Sequence, residues 1–155
     1  MRLAEQTKIV HVLEAEDHAA GVDGDSVSLE NYSHVTFIFS LGSLTGDAIL
    51  KIQSGATAGT KTTEETFNYR FSTAALKAAT GDLLVAEETS AALTITGTVY
   101  DDFLLVVEMD ADEFTDGQQW ITPSISSAAS AMFASCVAIL SKPRYGQNVP
   151  PTAIA

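Results

Sequence analysis

Apolar and polar residues alternate with a period of two in one segment of this chain after another, and this pattern constrains the fold more than any other feature. The clearest case is the segment 34–41 (HVTFIFSL). One face of a strand would carry Val35, Phe37, Phe39 and Leu41, and the other would carry Thr36, Ile38 and Ser40. Because successive side chains of a strand point to opposite faces, such segments predict strands that each cover one side of a core.

Further segments carry the same signal, and turn residues separate them about every ten residues. They lie at 8–13, 27–29, 47–54, 62–71, 92–98, 103–110, 119–126 and 133–140. The first of them is expected at a sheet edge. Residues 47–54 and 62–71, joined by a glycine-containing connector, are expected to form an antiparallel pair. The pattern as a whole predicts an all-β fold, an antiparallel and jelly-roll-like β-sandwich.

Local signals modify this strand pattern at two places and at the ends. Pro123 lacks a backbone donor, so the strand at 119–126 is expected at a sheet edge or with a bulge. Residues 72–82 (STAALKAATGD) predict one short helical connection, which Gly81 would end. The ends predict an extended N-terminal arm at 1–8 and an extended C-terminal arm at 142–155, with the β-sandwich domain at 9–141 between them.

The charge excludes some classes of partner. The chain has 20 acidic and 8 basic residues, a formal net charge of −12 at pH 7. This field repels a phosphate backbone, so we expect no direct contact with nucleic acid; it favours solubility, or alternatively a basic partner surface. No segment has the length and apolarity of a membrane span or a secretory signal, which predicts synthesis in a cytoplasm and no membrane contact. Cys136 is expected to be a buried, unpaired thiol.

The residue types that most often carry chemistry do not group in this sequence. His11, His18 and His34 lack zinc-ligand spacing, and no nucleophile elbow, P-loop or dinucleotide fingerprint is present. A triad built from one of the histidines stays open, because triads assemble from distant positions. Adjacent Asp101 and Asp102 would point to opposite faces of a strand, which favours a turn. We expect no enzyme activity, no catalytic residue, no cofactor and no metal site.

Two binding alternatives remain. The acidic loop 110–117 (DADEFTDG) fails the EF-hand register because Phe114 falls at a ligand position, which leaves a different calcium site or a solvated turn. Trp120, with Tyr32 and Tyr100, would form a sugar-stacking platform, or else Trp120 fills the sandwich core.

One strand and the C-terminal arm are candidates for contact with other subunits. The strand at 103–110 is apolar on both faces at its start, which predicts cover on both sides or a subunit contact at Leu104 and Val106. The C-terminal arm contains three of the four prolines and ends in the apolar sequence TAIA. A neighbouring subunit would offer such an arm main-chain pairing and small apolar contacts, whereas the alternative is a disordered terminus.

Three segments resemble small head proteins of tailed bacteriophages: 55–71 (GATAGTKTTEETFNYRF), 100–117 (YDDFLLVVEMDADEFTDG) and 137–145 (VAILSKPRY). The resemblance is one of pattern and covers roughly residues 34–145. Proteins of that kind often act as decoration or cement proteins. The resemblance therefore implies a non-catalytic virion structural protein that binds the outer surface of a phage capsid and stabilises it against internal DNA pressure.

The resemblance also implies partners and a location. The partners are the major capsid protein and further copies of the chain in a homotrimer or homodimer, on the capsid exterior, after synthesis in the host cytoplasm. Lys142–Tyr145 (KPRY) corresponds to the family's ending and predicts an attachment arm. The residues expected to contact capsid or subunits are Arg2, Leu3, Leu104, Val106, Lys142, Arg144, Tyr145, Val149 and Ile154. A carbohydrate-binding or adhesin-type β-sandwich module is the alternative function.

Overall fold

Two antiparallel sheets form a sandwich in the computed structural model, which describes residues 3–144 and 153–154. The first sheet contains, in spatial order, β1 (Lys8–Asp17), β12 (Met132–Pro143), β4 (Tyr32–Leu44), β10 (Leu104–Asp110), β7 (Phe67–Phe71) and β8 (Glu88–Ser90). The second contains β2 (Val22–Asp23), β11 (Trp120–Ile125), β5 (Ala48–Gly55) and β6 (Thr63–Glu65), with β3 (Val27–Ser28) on β11 and β9 (Leu93–Ile95) on β5. The predicted all-β antiparallel sandwich is confirmed.

The core is built from the inward-facing side chains that the alternating pattern identifies. The inward-facing side chains of the 34–41 segment are at most 1% exposed: Val35, Phe37, Phe39 and Leu41. Leu50 and Ile52 of β5 face them at 0% exposure, as predicted. Each such side chain contributes about 2 kcal/mol by leaving water. Cys136 in β12 is also fully buried, and this burial raises the pKa of its thiol.

The predicted strand at 62–71 is in fact two strands in different sheets. Thr63–Glu65 pairs with β5, with Glu65 opposite Ile52. After Thr66 the chain crosses to the first sheet, where Phe67–Phe71 pairs with β10 and β8. The expected pairing with 47–54 is therefore correct only for the first half of the segment. Alternation continues through the crossing, so periodicity alone cannot reveal it.

The prediction that the Pro123 strand is a bulged or edge strand is wrong. β11 pairs with β5 without a register shift along Trp120–Ile125 and pairs with β2 and β3 on its other side. Pro123 is tolerated because it lies between the two short strands on that side. Its carbonyl accepts from Gly24 N at 2.8 Å, and a residue's N and O point to the same side of a strand. The backbone N–H that Pro123 lacks would therefore point into the gap between β2 and β3, on the side of β11 away from β5.

The helix expected over 72–82 is also absent from the described chain, where these residues form successive turns. Thr73 Oγ1 donates to Thr80 O at 2.7 Å, and Leu76 N donates to Asp102 O at 2.7 Å. Two helical turns are marginal on their own, and here bonds across the loop and to a distant segment replace the helical ones. The α-helical residues are instead Leu3–Gln6, within the arm predicted to be extended. β1 follows as an edge strand, as expected, and continues to Asp17.

Candidate interaction surfaces

The outer face of the first sheet carries apolar side chains where a solvated sheet face would be polar. In the central row Val137, Ile38 and Val106 lie opposite one another across β12, β4 and β10. The next row places Ile139 beside Ile9 of β1. We call the following set the outer apolar face: Ile9, Ile38, Leu104, Val106, Phe133, Val137 and Ile139.

These side chains retain access to solvent. Phe133 and Ile9 are each 46% exposed, and the other members are half-buried by their neighbours in the sheet. Next to Phe133 stands Gly42, at which an added Cβ would come within 3.2 Å of the phenylalanine Cβ. The Cβ of Phe133 therefore packs against the bare backbone of Gly42. In an antiparallel sheet with one solvated face, apolar side chains normally point inward and polar side chains outward. The outer apolar face departs from this rule over four strands.

Leu104 and Val106, predicted as a subunit contact from the two-sided apolar strand, lie within this outer apolar face. Leu105 and Val107 point into the core at 0% exposure, whereas Leu104 and Val106 point outward. Val106 has Arg70 opposite it on β7, so the apolar row ends at a cation. The structure thus brings these two predicted residues together with five that sequence reasoning did not connect.

The predicted terminal contact residues are placed differently. Leu3 is 42% exposed in the helical turn. Lys142 is exposed and forms an ion pair with Asp110 at 3.2 Å. Arg144 bonds through its backbone N to Asn31 O at 2.9 Å. Arg2, Tyr145 and Val149 lie outside the described residues.

Ile154, the last predicted contact residue, packs on its own domain. It forms an antiparallel bridge with Val27 of β3, and Ser28 N donates to Ala153 O at 2.8 Å. Ala153 is 4% exposed. Residues 153–154 therefore extend the second sheet by a single bridge beyond β3.

The histidines were the remaining candidates for a catalytic triad. His18 is 5% exposed, with Nε2 2.9 Å from Glu14 O. His34 comes nearer to a triad, since its Nδ1 lies 2.9 Å from Asp110 Oδ1 and its Nε2 3.3 Å from Thr36 Oγ1. The hydrogen bond between His34 Nδ1 and Asp110 Oδ1 is the main reason that the pKa of Asp110 lies below its usual range.

Within the described residues, Thr36, His34 and Asp110 lie in paired strands of the first sheet. All three residues lie on β4 and β10, and β4 is paired on both sides. Its backbone N–H groups are used in the ladders, so none is available to stabilise an oxyanion next to Thr36. Glu108 Oε1 also approaches His34 Nε2 at 3.7 Å, on the side where a base must receive its proton. The arrangement is a polar border of the outer apolar face.

Carboxylates of the acidic segments accept hydrogen bonds from backbone N–H groups. Asp101 accepts from Leu44 N at 2.6 Å, and Asp102 has a positive φ of 58°, as expected of a turn. In the 110–117 loop, Glu113 Oε2 accepts from Asp110 N at 2.8 Å around a 3-10 turn. Over residues 3–144 and 153–154, no group of three or more His, Cys, Asp or Glu side chains is placed to hold a metal ion. Nor does this part of the chain contain a helix long and apolar enough to cross a membrane.

The three residues considered for a sugar platform have separate environments. Tyr32 is 2% exposed, and burial raises the pKa of its hydroxyl. Tyr100 stacks on Phe71 with ring centroids 3.8 Å apart and 9° between the planes. Its face towards that ring is therefore covered. Trp120 is half-buried in β11 of the second sheet. These positions give no shared stacking surface.

Sequence reasoning missed a buried polar network between the second sheet and the 111–119 loop. Ser54 is 0% exposed and donates to Glu65, which is 6% exposed. Glu65 Oε1 also accepts from Thr115 N at 3.3 Å. Gln118 Oε1 lies 2.6 Å from Ser54 Oγ. The only sequence signal was Glu65 at an inward position of an alternating segment, and this network anchors the loop to β5 and β6.

Comparison with known proteins adds a likeness of fold. No protein-family model matches the chain, and no curated protein matches it. Among solved structures, the SPBc2 prophage-derived protein YomS is similar, with a TM-score of 0.48 and 10% sequence identity over 86% of this chain and 94% of that one. A likeness at this level carries no conclusion about function. The surfaces described above are therefore the basis for a functional proposal.

Proposed function

We propose that this protein is a non-catalytic virion structural protein that binds the outside of a phage capsid through the outer apolar face and stabilises the shell. The observation that carries the proposal is the row of Val137, Ile38 and Val106 with exposed Phe133 on the same face. Apolar side chains that share one outward sheet face are a candidate for a protein contact, and aromatic residues such as Phe are enriched in the cores of such contacts.

The size of this face favours an array over an isolated dimer. At strand and residue spacings of about 4.8 and 6.8 Å, the seven positions of the face cover roughly 230 Å². A stable two-protein complex buries about 800 Å² on each partner. A smaller contact suffices when symmetry repeats it, because linked weak contacts bind with high avidity. A capsid provides such repetition, and its major capsid protein is the partner we propose.

The charge distribution supports an exterior position. The net charge of −12 opposes contact with packaged DNA and keeps particles apart in solution. Homo-oligomerisation as a trimer or dimer, synthesis in the host cytoplasm and the absence of enzyme activity belong to the same proposal.

The experiment is co-sedimentation with empty capsids, comparing Val106→Glu with Ile49→Glu. Val106 lies at the end of the central row, opposite Arg70, whose charge favours a carboxylate at this position and so helps to preserve the fold. Ile49 is 39% exposed on β5 of the second sheet and gives the same substitution on the opposite side. We expect Val106→Glu to weaken binding by about 3 kcal/mol, on the order of 100-fold, because a charge must be buried.

Two outcomes would contradict the proposal. One is that full-length protein does not co-sediment with capsids at all. The other is that Val106→Glu and Ile49→Glu bind equally well while both retain wild-type circular dichroism. Phe133→Ala provides a second test in the same assay, since removal of an aromatic anchor costs about 2 kcal/mol and this ring, 46% exposed, contributes little to the fold.

A further inference from the structure

We propose that the edge of the first sheet at Leu83–Val85, here called the apolar edge, binds an extended basic segment of another protein by strand addition. This surface is not part of the outer apolar face, and the inference does not depend on capsid binding. It begins from the backbone of Leu84, which forms an antiparallel bridge with Ser72, directly after β7.

The backbone of the apolar edge is paired on one side only. Thr73 N donates to Leu83 O at 2.8 Å. Val85 N donates to Phe71 O at 2.9 Å. In an antiparallel pair, a residue between two such bonds points its own N–H and C=O away from the neighbouring strand. Within the described part of the chain, the N–H and C=O of Leu84 have no hydrogen-bond partner. These two groups are therefore available to a further strand.

The side chains of the apolar edge are exposed as well. Leu83 is 55% exposed, Leu84 41% and Val85 37%. Because successive side chains of a strand point to opposite faces, this edge presents apolar surface on both sides of its open backbone. A strand added here would bond the main chain and cover apolar side chains on either face. This combination of main-chain pairing and side-chain contact is the usual mode by which a sheet edge binds an extended peptide.

The apolar edge lacks two of the devices that protect sheet edges. Natural edges carry lysine, proline or bulges that discourage pairing with another chain, and residues 78–90 contain neither lysine nor proline. A bulge is present: the pairs Ser72–Leu84 and Tyr69–Glu88 lie three residues apart on β7 and four apart on the edge. It separates the apolar edge from β8, so the site is short and centred on Leu84.

The surrounding charge indicates the chemistry of the added segment. Asp82 precedes the apolar edge and Glu87 and Glu88 follow it, and the sequence contains no lysine or arginine from residue 78 to residue 141. Arg70 approaches from β7 and forms an ion pair with Glu87 at 3.2 Å. Lys and Arg side chains of an added segment would meet complementary charge on either side of the apolar residues. A second copy would instead oppose one acidic edge to another, which is unfavourable.

Fluorescence anisotropy with a labelled octapeptide of alternating Lys and Val tests the proposal on the full-length protein. One control peptide alternates Glu and Val. The other is the Lys–Val peptide with a fully N-methylated backbone, which keeps the charge and the side chains but lacks main-chain donors.

Two variants of the protein form a matched pair, Leu84→Pro and Leu84→Ala. Both remove the leucine side chain, but only proline removes the N–H that points away from β7. Because that N–H makes no hydrogen bond within the described fold, proline is compatible with this position on a sheet edge.

We expect the Lys–Val peptide to bind Leu84→Pro about tenfold more weakly than Leu84→Ala, because one main-chain hydrogen bond is lost. Both control peptides should bind the wild-type protein at least tenfold more weakly than the Lys–Val peptide. If Leu84→Pro loses the wild-type circular dichroism spectrum, the N-methylated peptide on wild-type protein decides whether main-chain pairing occurs.

Several results would overturn the proposal. One is that the Lys–Val peptide does not bind, or binds Leu84→Pro and Leu84→Ala equally. Another is that the N-methylated peptide binds as well as the unmodified one, which would reduce the interaction to attraction by net charge. Self-association of the protein alone, abolished by Leu84→Pro, would make a second copy the occupant instead. Because no capsid is present, these results are independent of the co-sedimentation assay.

Discussion

The buried Ser54 hydroxyl is expected to contribute far more to stability than an exposed serine with the same type of bond. Ser54 is fully buried and donates to the buried Glu65 carboxylate. In Ser54→Ala, that carboxylate keeps the bond from Thr115 N and loses its shortest donor. A hydrogen bond to a charged group contributes about 2 kcal/mol, which for a domain of this size lowers Tm by about 6 °C.

Ser124→Ala is the matched control. Ser124 donates to Asp23 Oδ1 at 2.5 Å, also within the second sheet, but Asp23 is exposed. Water replaces the lost donor there, so we expect a cost below about 0.5 kcal/mol. Urea unfolding measures both free energies, and an unchanged m-value shows that the denatured states match. Equal losses for the two variants would refute the argument from burial.

A double-mutant cycle with Glu65→Gln locates the effect. If the Ser54 bond to the carboxylate is its source, the two substitutions should couple by about 1 kcal/mol. Additive losses would assign the cost of Ser54→Ala to a small cavity instead.

Three further predictions concern single sites. The hydrogen bond from His34 holds the pKa of Asp110 below its usual range. The pair therefore stabilises the fold at pH values above the unfolded pKa of Asp110, and this contribution is lost as the pH falls below about 4. Asp110→Asn should therefore reduce the change in the urea unfolding midpoint over this acidic range. Gly97→Ala should cost about 2 kcal/mol, because its Cβ would lie 2.6 Å from Gly46 O, as thermal unfolding can show. Tyr32→Phe should raise stability by about 1 kcal/mol, because among the described atoms the Tyr32 hydroxyl is buried without a hydrogen-bond partner; a loss in the same melt would contradict this.

The elements that sequence reasoning located correctly are those in which burial and alternation coincide. The 34–41 segment has both, and its predicted inward face is the centre of the core. Alternation reports which residues share a face, and it contains no information about which sheet a strand joins. This is why the segment 62–71 could be identified as extended while its crossing at Thr66 could not.

The failures at 72–82 and at Pro123 have a common physical cause. In both, the prediction used only the preference of the local sequence, and contacts with distant segments of the chain override that preference. The 72–82 loop has helical composition, yet Asp102 O takes the Leu76 N–H from another part of the chain. Pro123 lacks a donor, yet the neighbouring strands end on either side of it. Tertiary contacts decide marginal local preferences, and a single sequence does not display them.

The outer apolar face illustrates the same limit for the candidate site. Each of its strands shows one to three outward apolar residues, which is ordinary for a protein surface. Only the register, in which Val137 lies opposite Ile38 and Ile38 opposite Val106, joins them into a row. The two-sided strand at 103–110 was the one local sign, because an apolar residue on the outward side of a central strand has to be covered by something. Solvent gives no stabilisation to such a row, so its existence is best explained by a partner that removes it from water.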